Sequence, residues 1–256
     1  MKVVIFAGGF GTRILEETSL IPKPMVKVGE FPILWHIMKI YSHYGFNDFI
    51  ICLGYKGYLI KEWFSNYFLH NSDITIDLKN NSRLIHNSNS EPWKVTLVET
   101  GLNTGTGGRI KKIRNYLDNS TFMLTYGDGL ADIDINQLLK THKESKKMVT
   151  VTAVRQPGRF GVLSLQENTV YGFKEKIEGD NNWINGGFFV LEPEIFNYLD
   201  DNFEVMWEQA PLETIASSGQ LGAYFHNSFW KPMDKLIDQR KMEEMWFSGN
   251  APWKIW

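Results

Sequence analysis

Apolar positions along the chain fall into two kinds of stretch that alternate. KVVIFA (2–7), DFIICLG (48–54), FMLTYGD (122–128) and MVTVTAV (148–154) are short, nearly continuous apolar runs. That is the pattern of strands buried on both faces. Longer amphipathic stretches lie between them. In ILWHIMKIYSHYG (33–45), Ile33, Ile37, Ile40, Tyr41 and Tyr44 share one side of a helix, and glycine ends it. KGYLIKEWFSNYFL (56–69) predicts a helix with an aromatic face, and DINQLLKTHKESK (134–146) predicts another. Asp132 and Asp134 read as loop and N-cap residues there. Past residue 154 the runs FGVLSL, TVYGFKEK, INGGFFVLE and LGAYFHNSF are shorter, strand-like and glycine-interrupted, and KLIDQRKMEEMWFSG (235–249) reads as a helix.

Strands alternating with helices predict an α/β fold: a Rossmann-like open sheet, mixed but mostly parallel, flanked by helices, with a smaller β-rich part. No linker rich in Pro, Gly or Ser, no low-complexity tract and no repeat divides the chain, so one domain over 1–256 is expected. In such sheets ligands bind beyond the carboxyl ends of the strands. Attention therefore falls on the loop at the end of each strand: AGGFGTR (7–13) after the first, and GDG after FMLTY.

Composition narrows the chemistry. The net charge is −2, so no bulk field favours nucleic acid, and any bound anion must meet local positive charge. Cys52 is the single cysteine and sits in an apolar run, which predicts a buried thiol and excludes a disulfide framework or a cysteine-based zinc site. The N-terminal apolar run is too short for a membrane span or a secretory leader, so no membrane partner and a cytoplasmic protein are expected.

AGGFGTR admits three readings. Its glycines turn the chain, or they form a dinucleotide fingerprint, or they form a nucleotide loop of another kind. The fingerprint fails because Ile14 stands at the third glycine position, and a P-loop fails for want of G-K-[ST]. A plain turn leaves Arg13 idle. Glycines let backbone amides approach a phosphate chain closely, and Arg13 supplies a planar fork for phosphate oxygens. In IPKPM (21–25), Lys23 stands between two prolines. Proline fixes its own φ and pushes the residue before it toward an extended shape, which aims the ammonium at little entropic cost.

AGGFGTR followed by PKPM resembles the signature of the sugar-1-phosphate nucleotidylyltransferases. ILWHIMKIYSHYG, EPWKVTLVETG, TGGRIKK, TYGDGLADIDI, PGRFGVL, INGGFFVL, FWKPMD and APWKIW are similar to one branch of them, the glucose-1-phosphate cytidylyltransferases, essentially end to end. The resemblance implies transfer of a cytidylyl group from CTP to α-D-glucose 1-phosphate, giving CDP-glucose and pyrophosphate for deoxysugar or O-antigen precursors. A nucleotidylyltransferase using another triphosphate or another phosphorylated substrate is the alternative. It also implies magnesium, a nucleotide part over about 1–150, a sugar-binding part over about 151–256, and a homo-oligomer such as a hexamer.

The implied roles track the motifs. Ala7, Gly8, Gly9, Gly11, Thr12 and Arg13 hold the triphosphate, with Gly127 beside Asp128. Lys23 lies near the α-phosphate, so Arg13, Lys23 and Asp128 are the catalytic set. Asp128 and Asp234 hold the metal; each also has the simpler reading of a turn or helix-cap aspartate. Thr104, Thr106, Gly107 and Arg109 adjoin the base. There, donors aimed at O2 and N3 favour cytosine, unless Arg109 only opens a basic, solvated helix over 109–114. Glu175, Lys176, Asn185, Gly186 and Glu208 serve the sugar phosphate. Ile177 stands where the family has proline and Ala210 where it has an acid, so the sugar side departs from the pattern.

Overall fold

The computed structural model describes residues 1–11, 20–155, 162–166, 169–174 and 183–256. Nine strands of the described residues form one sheet: β1 (Lys2–Ala7), β2 (Asp48–Leu53), β3 (Lys94–Glu99), β4 (Phe122–Tyr126), β5 (Val149–Arg155), β6 (Val162–Gln166), β7 (Thr169–Lys174), β8 (Trp183–Leu191) and β9 (Leu221–His226). The run β3-β2-β1-β4 is parallel throughout. β8 then joins β4 antiparallel and pairs on with β5, which runs parallel to β9. The β6–β7 hairpin reaches β8 and β9 through single residue pairs, Val162–Ile184 and Thr169–Gly222. The mixed, mostly parallel sheet expected from the apolar runs is present, and the strands that run against the rest are β8, the glycine-interrupted INGGFFVL, and β7.

Successive strand residues bury on opposite faces. Val3, Ile5 and Ala7 belong to one core with Phe49, Ile51 and Leu53, while Val4 and Phe6 belong to the other with Ile50 and Cys52. Each fully buried aliphatic side chain of this kind contributes roughly 1.5–3 kcal/mol. Helices α1 (Ile33–His43), α2 (Gly57–His70), α4 (Ile135–Ser145) and α6 (Leu236–Phe247) supply the first core; α3 (Thr106–Lys112) and α5 (Ala210–Ser217) supply the second. Asp134 caps α4 as expected, its Oδ1 accepting from the Gln137 amide at 2.9 Å. Cys52 is fully buried, and burial pushes its thiol up to about 12.

Several strands have no counterpart in the sequence reading, β3 among them, and two of these form a separate arm. Ser72–Asp77 and Ser82–Ser88 pair only with each other, and Ile76, Leu78, Leu84 and Ile85 on this arm are exposed. No residue of these two strands is buried, so their apolar residues form no core-facing pattern by which to recognise them.

His36 on α1 is fully buried among tryptophans. Its Nε2 lies 2.9 Å from the Val28 carbonyl, and Trp253 Nε1 points at its Nδ1 from 3.4 Å. Burial holds its pKa down to about 4, against backbone hydrogen bonds that favour the charged form. Above pH 7 the ring is neutral in both folded and unfolded chains. Between the ordinary 6.5 and about 4 only the unfolded chain takes the proton, so stability falls as pH falls. The loss from this ring reaches about 3 kcal/mol at pH 4. The stability gap between wild type and His36→Gln is therefore expected to narrow by that amount from pH 7 to pH 4 in urea titrations.

Candidate active site

The carboxyl ends of β1 and β4 open onto a pocket of about 660 Å³. Ala7, Gly9 and Gly11 line it from the loop after β1, and Thr104, Thr106 and Arg109 from the segment leading into α3. Gly127 and Asp128 line it after β4, and Lys23, Glu208 and Asp234 come from three further segments. Gly8 and Gly107 do not line the pocket; Gly8 turns its carbonyl to Arg109, and Gly107 packs on Val205. Thr12, Arg13, Glu175 and Lys176 lie outside the described residues.

Lys23 opens a short 3-10 turn over Lys23–Met25, not the extended segment that Pro24 favours; Pro22, ahead of it, is extended. The turn closes with the Met25 amide on the Pro22 carbonyl at 2.8 Å. Two prolines still brace the backbone, and the ammonium reaches inward. Its Nζ stands 2.6 Å from Asp128 Oδ2 and 2.9 Å from Asp234 Oδ1. Burial by itself would lower the lysine pKa, but the two carboxylates outweigh it and the net shift is upward. Asp234 does not cap α6; Asp238 does, its Oδ2 accepting from the Lys235 amide at 3.0 Å.

Arg109 is 4% exposed, so the solvated-face reading does not hold. α3 begins three residues earlier than the basic run, at Thr106, and turns the guanidinium into the protein. Nη1 donates to the Leu53 carbonyl at 3.0 Å and to Thr100 Oγ1 at 2.5 Å, and Nη2 donates to the Gly8 carbonyl at 3.0 Å. One side chain thus ties the segments that leave β1, β2 and β3. A Cβ on Gly8 would lie 2.1 Å from Nη1, so any side chain here would push the guanidinium out of its bonds. Burial lowers the guanidinium pKa, but an arginine remains charged. At the start of α3 the amides of Gly105, Gly107 and Gly108 donate to the carbonyls of Phe203 and Val205, so this helix end is satisfied within the protein.

Glu208 is a hub. Thr106 Oγ1 donates to its Oε2 at 2.6 Å, and the Tyr126 hydroxyl donates to its Oε1. Asn185 Nδ2 lies 3.3 Å from that hydroxyl, which links β8 to the pocket through two side chains. The Gly186 carbonyl accepts from Trp230 Nε1 at 2.7 Å. Burial first, then the Glu208 charge, holds the Tyr126 pKa well above its usual value, so the phenol stays a donor. Tyr126 was legible only as the end of an apolar strand. Phe10 and Met206 also line the pocket and were missed; both are ordinary apolar residues whose role depends on where the loops fold.

Among the described residues no three acidic, histidine or cysteine side chains gather as a metal cluster. Asp128 and Asp234 do converge on one point, where a cation, the Lys23 ammonium, already stands. Two hard oxygen donors beside a cavity fit magnesium, which is bound by one or two carboxylates plus substrate phosphates and water.

The nucleotidyl transferase family profile matches residues 2–230. A glucose-1-phosphate cytidylyltransferase of Salmonella typhi is 53% identical, with both chains covered in full. A probable glucose-1-phosphate cytidylyltransferase of Bacillus subtilis is 43% identical, again over the whole of both chains. Among solved structures, HddC from Yersinia pseudotuberculosis superposes with a TM-score of 0.76 at 24% identity, covering 96% of this chain and 99% of that one. No described helix is long and apolar enough to cross a membrane.

Proposed function

We propose that this chain, which belongs to the nucleotidyl transferase family, transfers the cytidylyl group of CTP to α-D-glucose 1-phosphate, giving CDP-glucose and pyrophosphate. The observation that carries the reading is the meeting of Lys23, Asp128 and Asp234 in the pocket at the ends of β1 and β4. These residues are up to 211 positions apart in the chain. Full-length likeness to glucose-1-phosphate cytidylyltransferases supports the choice of substrates.

The chemistry explains the cast of residues. A sugar-phosphate oxygen attacks the α-phosphorus of CTP, the bond to the β-phosphate breaks, and pyrophosphate carries away the electron pair. The nucleophile is an anion at neutral pH, so no general base is needed. The obstacle is repulsion between two polyanions, and catalysis is positioning and charge neutralisation. Lys23 faces the charge that grows on the α-phosphate. Backbone at Gly9 and Gly11, with Arg13, holds the triphosphate. Magnesium held by Asp128 and Asp234 offsets phosphate charge when bound.

Thr104 and Thr106 form the base side, with Gly107 behind them and Arg109 bracing the wall on which the base lies. Asn185, Gly186 and Glu208 form the sugar side with Glu175 and Lys176. The reading includes a cytoplasmic setting and self-association, for which the projecting arm offers exposed Ile76, Leu78, Leu84 and Ile85.

Pyrophosphate release with each of four triphosphates and several sugar 1-phosphates tests the reading. CTP with glucose 1-phosphate is expected to give the highest kcat/KM. A higher value with UTP, or with another sugar phosphate, would replace the substrates; no release from any pair would end the enzymatic reading.

A further inference from the structure

We propose that the Lys23 ammonium occupies the divalent-ion position between Asp128 and Asp234 in the nucleotide-free protein, so that the ion enters only as a nucleoside triphosphate draws Lys23 away. This rests on the reading that the two aspartates hold a divalent ion.

The geometry is direct. Nζ sits 2.6 Å and 2.9 Å from carboxylate oxygens on two different segments, which is the placement of a bridging cation. The lysine side chain is 11% exposed, Asp234 14% and Asp128 31%, so water screens the Asp234 contact little and reaches the arrangement from the Asp128 side. A magnesium ion at roughly 2.0–2.1 Å from the same oxygens would overlap the ammonium. The two cations therefore compete for one place. Burial disfavours leaving either the ammonium or the carboxylates without a partner.

The triphosphate resolves the competition. It brings new oxygens for the ion and a new anionic partner for the ammonium at the same moment. The backbone at Lys23 is braced by Pro22 and Pro24, so the exchange is a swing of the flexible lysine stem within a fixed wall. Lys23 thereby changes partner between the resting and the loaded states, and an ion alone finds its ligands already engaged. The assignment makes Lys23 a positioning residue for the ion as well as a group facing the phosphates.

Mn²⁺ binding read by electron paramagnetic resonance, in the absence of nucleotide, tests this. Wild type is expected to bind Mn²⁺ weakly. Lys23→Met, with the ammonium gone, is expected to bind one ion at least tenfold more tightly, and adding Asp128→Asn is expected to abolish the gain. Wild type binding as tightly as Lys23→Met would overturn the proposal, as would a folded Lys23→Met with no gain. If circular dichroism shows Lys23→Met unfolded, Lys23→Gln takes its place.

A measurement on wild type alone gives a second check. The acetylation rate of Lys23, followed by peptide mass spectrometry, is expected to stay unchanged when Mn²⁺ is added without nucleotide. A several-fold rise would mean that the ion displaces the lysine by itself, and would overturn the proposal. Failure here is separable from failure of the functional reading. A protein that releases pyrophosphate from CTP yet binds Mn²⁺ tightly on its own refutes the exchange and leaves the activity standing.

Discussion

Replacing Lys23 by alanine is expected to lower kcat/KM for CTP by roughly 10²–10³-fold, the size of effect seen when a preorganised donor to developing charge is removed. The loss should fall mainly on kcat. The ammonium is buried and its backbone is braced by a proline-flanked turn, so its stem presents the charge to the reacting phosphate from a fixed wall. Water cannot supply a fixed positive charge at the same point. Lys23→Arg keeps the charge in a planar, bulkier form and should recover only part of the rate. Initial rates of pyrophosphate release across CTP concentrations measure both constants. A loss of less than about tenfold would fall well short of that range and remove Lys23 from the reacting centre.

Arg109→Ala is expected to cost about 3 kcal/mol of stability, because a buried charged donor that holds three acceptors is lost and a void replaces it. Gly8, Leu53 and Thr100 stand at the ends of three neighbouring parallel strands, and the guanidinium bonds to all of them. KM for CTP should rise with the loss, since the loop carrying Gly9 and Gly11 and the segment carrying Thr104 and Thr106 lose their tie. Preference for CTP over UTP should decline for the same reason. Arg109→Lys should not rescue, because a single ammonium cannot span three acceptors. Urea unfolding with parallel CTP and UTP kinetics measures all of this. A variant as stable as wild type would show that the tie contributes nothing.

Much of the sheet could be read along the chain, and the reason is burial on both faces. β1, β2, β4 and β5 are short apolar runs because all but one end residue of each is buried. α1 and α4 were legible from one apolar side and, for α4, from Asp134 as its cap. The arm at residues 72–88 was not, since neither of its faces packs on the sheet. The start of α3 was missed because TGTGG looks like a loop; its glycines instead allow residues 203–205 to approach the helix backbone closely.

Within the pocket the motifs located Lys23, Asp128 and Asp234 singly. No spacing reveals that one ammonium bridges both aspartates, because that contact depends on the sheet order. Arg109 shows the same limit: a basic run suggests a wet surface, yet its first residue is buried under Gly8.

The sheet order bears on how the protein is made. β4 gains its second neighbour only from β8, about 65 residues further on. At roughly 5–20 residues per second a ribosome takes several seconds to deliver that strand. For that interval the emerging chain carries Phe122–Tyr126 with one open apolar edge, a site where a nascent protein pairs wrongly or recruits a chaperone. Truncated products ending between the two strands should therefore be the insoluble ones.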